Sequence, residues 1–181
     1  MCPRVAVATE GPASEAVTRE VGVRAGWEVE TRSTEGRDKL YREFPKLLAS
    51  VRGRVDRYVV APDLHPNENC ATEAARWNQA IRVGFPNARL CLAVWETEAW
   101  LLADPAAIQT AMGFTVTVSH PDYIGGVKPS RLLDIAYRKR HGYRRGLGFD
   151  KKTDGAAIAR VLDLGSARAR SPSLDHFLRS V

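Results

Sequence analysis

The stretch RVAVATEGPASEAVTREVGVRAGWEVETRS, residues 4–33, decides the fold. Its first six residues form a short run of valine and alanine, the composition of a buried strand. Gly11 and Pro12 break that run, and the apolar residues of ASEAVTREVGVRAG then recur at helical spacing. WEVETRS, residues 27–33, alternates like a half-exposed strand. The pattern then repeats. Residues 37–51 place Leu40, Phe44, Leu47, Leu48 and Val51 on one helical stripe, and residues 57–61 return to a buried strand. CATEAARWNQAIRVG reads as a third helix ending at Gly84, and ARLCLAVW, residues 88–95, as a fourth strand. Repeated strand–helix units predict an α/β fold: a mostly parallel, Rossmann-like four-stranded sheet with helices on both faces and right-handed crossovers. A flavodoxin-like order sets the first and third strands side by side, with ligands bound beyond the strands' carboxyl ends.

The second half is less regular. One helix is expected in TEAWLLADPAAIQTAMG, followed by an irregular connection over residues 113–127. Further helices are expected near residues 129–140, 153–162 and 171–178. A length of 181 residues predicts a single domain, with a core over about residues 1–112 and a helical extension over about 113–181. There is no internal repeat, low-complexity linker or heptad seam. No apolar run is long enough to cross a membrane, and the opening residues lack a secretory pattern, so a cytoplasmic protein is expected. Cys2, Cys70 and Cys91 show neither metal-ligand spacing nor a disulfide framework. The net charge is +6, and cations crowd residues 128–152, KPSRLLDIAYRKRHGYRRGLGFDKK, interleaved with Tyr137, Tyr143 and Phe149. Such a segment suits a phosphate backbone with unpaired bases stacked on the rings, and equally a solvated helix face.

The acids fall at one edge. Glu10 ends the first strand, Asp63 ends the third, and Glu96 and Glu98 follow the fourth. Acids gathered at neighbouring strand ends repel one another unless a cation sits among them, and oxygen donors favour a hard divalent ion, Mg²⁺ or Mn²⁺. Strand ends also meet water, where acids cost little, and Glu10 before Gly11-Pro12 would serve as a charge at a helix N-terminus. Glu96 and Glu98 can reach one ion only if Glu96 still belongs to the strand end, since residues two apart on a helix do not share a face. Trp100, with Leu101 and Leu102, reads as a core anchor. His120, His141 and His176 assemble no zinc site, and GPASE lacks the Gly-Lys-Ser/Thr ending of a P-loop, so this chain is not expected to hydrolyse ATP.

ATEGPASEA, VVAPDLH and AVWETEAWLLAD together resemble the toprim fold of topoisomerases, primases and overcoming-lysogenisation-defect nucleases. More closely, the chain resembles small single-domain toprim-like proteins of unknown function, often encoded beside an ATPase in bacterial defence regions. VKPSRLLD, FDKKTDGAAIARVLDL and ARARSPSLDHFL carry the later part of that likeness. The resemblance implies a metal-dependent nuclease cutting DNA or RNA in anti-phage defence. Glu10 and Asp63 would be metal ligands, Glu98 a further ligand or base with Glu96 beside it, and Lys128 or Lys151 would steady the phosphate. Toprim domains carry an Asp-x-Asp pair where this chain has Asp63-Leu64-His65. His65 takes the place of the second acid, and imidazole suits Mn²⁺ better than Mg²⁺. The substitution leaves open a catalytically degenerate subunit that binds an ATPase partner or nucleic acid. A phosphohydrolase of mononucleotides and a homo-oligomer are also compatible with the same residues.

Overall fold

The computed structural model describes residues 2–143 and 146–181. The chain opens with β1 (Arg4–Thr9), α1 (Pro12–Arg24), β2 (Glu28–Ser33), α2 (Arg37–Ala49) and β3 (Arg57–Ala61). It continues with β4 (Asp63–Leu64), α3 (Cys70–Gly84), β5 (Ala88–Leu90) and β6 (Ala93–Val94). The helical half holds α4 (Glu98–Leu101), α5 (Pro105–Met112), a 3₁₀ turn (Pro121–Tyr123), α6 (Pro129–His141), α7 (Thr153–Val161), α8 (Leu164–Arg170) and α9 (Pro172–Arg179). Four strands form a sheet in the order β2-β1-β3-β5, and β4 pairs with β6; every pairing is parallel. This is the expected Rossmann-like α/β architecture, with the first and third strands adjacent at its centre.

The strand expected over residues 88–95 is two segments, β5 and β6. The cause is Pro62. The N–H of Cys91 donates to the Val60 carbonyl at 2.9 Å and that of Ala93 to the Pro62 carbonyl at 3.0 Å. Pro62 has no N–H to return to the strand beside it, so the ladder loses one rung and resumes as β4 with β6. The helix expected over residues 97–113 is also two, α4 and α5. Asp104 caps α5 by accepting the N–H of Ala106 and of Ala107, each at 3.0 Å, and Pro105 takes the first helical position.

Period-two alternation splits the sheet's side chains between two cores. Val5, Val7 and Val59 face α1 and the C-terminal helices, packing with Val17, Val21, Trp100, Ile158 and Phe177. Ala6, Ala8 and Val60 face α2 and α3, packing with Leu40, Phe44, Leu48 and Trp77. Trp100 is fully buried, as its sequence context predicts, and its Nε1 donates to Ser173 Oγ at 2.8 Å. The helices after residue 113 therefore complete a core with the central strand: α7 lies on α1, where a Cβ on Gly155 would meet Val17 Cγ2 at 3.2 Å. α8 is an element that the sequence pattern did not predict.

Candidate functional site

The site is built at the carboxyl edge of the sheet. Glu10 follows β1, and its carboxylate accepts the N–H of Asp63 at 2.9 Å, replacing the rung that β1 is too short to supply. Its own carbonyl accepts the N–H of Gly36 at 2.8 Å, so the backbone there is held from both sides. Asp63 opens β4 with its Oδ1 enclosed and without a hydrogen-bond donor. Trp95, just past β6, takes a φ of 68°, a left-handed conformation rare for a bulky residue and costing roughly 1–3 kcal/mol. That bend brings Glu96 off the strand end before α4 begins, so Glu96 and Glu98 reach the same cation. Lys151 Nζ lies 2.7 Å from Glu96 Oε2 and 3.2 Å from Glu98 Oε1. The second contact lacks hydrogen-bond alignment, which leaves the buried Glu98 Oε1 without a donor.

The helical half supplies the groups that hold these acids. Glu96 Oε1 accepts the N–H of Ser130 at 2.6 Å, at the N-terminus of α6, where the helix dipole favours negative charge. Lys151 precedes α7, whose start is fixed by Asp150 Oδ1 accepting the Thr153 N–H at 2.6 Å and Asp154 Oδ2 accepting the Asp150 N–H at 2.9 Å.

Glu96 and Glu98 share the Lys151 ammonium, Asp63 feels its charge, and Glu10 has Arg37 as its nearby cation. Burial pushes the Glu10 carboxyl up from 4.5 to about 7, against the pull of the Asp63 N–H and of Arg37. Burial, then the charges of Glu10, Glu98 and Glu96, hold Asp63 well above the usual carboxylate range, with Lys151 opposing. Burial and the neighbouring Glu96 raise Glu98. For Glu96 burial acts upward too, but the hydrogen bonds from Lys151 and Ser130 outweigh it and the net shift is downward. Burial disfavours the charged Lys151, yet Glu98 and Glu96 raise it overall.

The other candidates lie elsewhere. His65 is exposed and forms no hydrogen bond with Glu10, Asp63, Glu96 or Glu98; its backbone N–H donates to Glu68 at 2.8 Å. It lines a cavity of about 490 Å³ with Arg37, Arg42, Arg76 and Glu68. Arg37, which no motif or spacing singles out, is ion-paired with both Glu68 and Glu73 and lies close enough to Glu10 to favour its charge. Lys128 is exposed at the start of α6, outside the carboxylate cluster. Of the basic segment, Arg144 and Arg145 lie outside the described residues. Among the described residues, no group of three acid, histidine or cysteine side chains is placed to hold a metal ion. The donor set nevertheless fits a hard cation: it is all oxygen, carries an excess of negative charge, and includes two buried oxygens with no donor.

These features define an α/β protein with clustered carboxylates and one lysine at the carboxyl edge of a parallel sheet. The chain belongs to the family described as a domain of unknown function, DUF4276, whose model it matches over residues 33–181. The match takes in Asp63, Glu96, Glu98, Lys128 and Lys151 and leaves Glu10 outside. No curated protein and no solved structure matches the chain. Among the described residues, no helix is long and apolar enough to cross a membrane.

Proposed function

We propose that this protein is a divalent-metal-dependent phosphodiesterase of toprim type that cuts nucleic acid. The observation that carries the reading is the gathering of Glu10, Glu96 and Glu98 around the buried Asp63, with Lys151 between Glu96 and Glu98, at the edge where parallel α/β sheets bind ligands. Glu10, Asp63 and Glu98 would hold Mg²⁺ or Mn²⁺, which when bound supplies an activated water and stabilises charge on a phosphate. Glu96 stays anchored between Lys151 and the Ser130 N–H. Lys151, released from Glu98, turns its ammonium to a phosphate oxygen. Arg131 at the start of α6, beside the site, and Lys139 and Arg140 at the far end of that helix would run along the nucleic-acid backbone. The likeness to proteins encoded beside defence ATPases extends the proposal to phage restriction with an ATPase partner.

A second reading, a non-catalytic subunit, draws on Lys151 already neutralising Glu96 and Glu98 and on His65 standing apart. Calorimetry with Mn²⁺ and Mg²⁺, alongside plasmid and RNA cleavage, separates the two. The nuclease reading expects Glu10→Ala and Asp63→Ala to lose metal binding and cleavage while remaining folded. It expects Lys151→Met to keep metal binding and lose cleavage by at least 100-fold. Metal binding by the wild type without cleavage of either polymer favours the subunit, and no binding by a folded wild type removes the metal centre altogether.

A further inference from the structure

A cavity of about 580 Å³ lies against the outer edge of β5 and β6. Its floor is Leu90, Leu92 and Val94. The N–H groups of Cys91, Ala93 and Trp95 donate inward to the Val60, Pro62 and Leu64 carbonyls. Backbone groups alternate along a strand, so the N–H and C=O of Leu90, Leu92 and Val94 face outward into the cavity, and no other strand pairs there among the described residues. An open sheet edge is a template for another strand.

The opposite edge shows what a protected one looks like. β2 carries Glu28, Glu30 and Arg32 at alternate positions, and Glu30 is paired with both Arg32 and Arg54. Charges so placed discourage strand addition. The β5 edge has leucine and valine instead, walled by Ala74 and Asn78 of α3 on one face and by His176 of α9 on the other. Arg89 stands at its rim, with Arg179, whose guanidinium is ion-paired with Asp175. Asp122 also reaches the cavity, but its carboxylate is spent on Ser171 Oγ and the Ser173 N–H, both at 2.7 Å.

We infer that this groove binds an extended, acidic segment of a partner protein, which joins the sheet as a fifth strand beside β5 and β6. A second copy is disfavoured as the occupant, because its own β5 edge is lined by the same residues of α3 and α9 and carries the same exposed Arg89. Backbone pairing with Leu90, Leu92 and Val94 gives affinity, alternate aliphatic side chains rest on the floor, and a carboxylate at the rim meets Arg89. The inference stands apart from the metal chemistry proposed above.

The test uses the full chain and a set of fluorescein-labelled, end-capped heptapeptides alternating valine or isoleucine with threonine, with and without a central glutamate. Anisotropy should show saturable binding, at least fivefold tighter for the glutamate peptides. Arg89→Glu should reverse that preference, and Asn78→Trp, an exposed substitution that fills the groove, should weaken binding at least tenfold with the melting curve unchanged. N-methylation of alternate peptide residues should abolish binding in one register and spare it in the other. The inference is overturned if no peptide in the set binds saturably, if Asn78→Trp or both N-methylation registers leave binding intact, or if sedimentation shows a dimer that Asn78→Trp dissociates.

Discussion

Glu10 holds a proton in the folded, metal-free protein that it releases on unfolding anywhere between its ordinary value of 4.5 and about 7. The folded state therefore binds more protons in that window, and stability falls as pH rises through it. The contribution is fully present below about pH 4.5 and gone above about pH 7. Glu10→Gln removes this slope: in chelator the variant should exceed the wild type at pH 8 by about 1–2 kcal/mol, allowing for the partly exposed side chain, and match it at pH 4.5. Urea melts at the two pH values check this, and an equal gap at both would overturn it. The acids were legible in the sequence because position on a strand end is a one-dimensional property. Lys151 and Lys128 were not distinguishable there, since only the turn before α7 decides which lysine meets Glu96. Arg37 escaped notice because Glu68 and Glu73 come to it from across the fold. The histidine of Asp63-Leu64-His65 occupies a ligand's place in the motif and a surface place in space.

Elements whose apolar period ran uninterrupted, β1, α1, β2, α2, β3 and α3, were legible nearly to the residue; β4 was not, since Asp63 reads as the end of the third strand and instead opens a separate one beyond Pro62. Those ended by a single side chain were not. Asp104-Pro105 is a helix-start signal set inside an apolar run, and the run hid it; α8 has little apolar content beyond Leu164 and Ala167, so its start at Asp163 went unread. Asp104 also joins these two places, because its Oδ2 accepts the Asp163 N–H at 2.8 Å while Oδ1 caps α5. Asp104→Ala strands three N–H groups at a buried junction and should cost about 2–3 kcal/mol, a fall in melting temperature of roughly 5–10 °C. Asp104→Asn keeps an acceptor for α5 and should recover about half. A loss under about 0.5 kcal/mol in the alanine variant would mean that the two helices hold their places without this link.

For the molecule as a whole, the family match begins at the last residue of β2, yet β1 is one of the two central strands of β2-β1-β3-β5. A fragment of residues 33–181 lacks one of the two strands that both cores share and lacks Glu10. It should melt without a cooperative transition and bind no Mn²⁺, by calorimetry and circular dichroism; a sigmoidal melt would show that the C-terminal helices form a core of their own. The interleaving of the two halves also bears on synthesis. Glu10, Asp63, Glu96 and Glu98 all leave the ribosome before Lys151, and at about 5–20 residues per second the ammonium follows Glu10 by roughly 7–30 s. Through that interval Glu96 and Glu98 lack the cation that they share. The last part of the chain is thus the latch for the first, and a polypeptide stalled at Asp150 has every strand in hand but not the ammonium that joins Glu96 to Glu98.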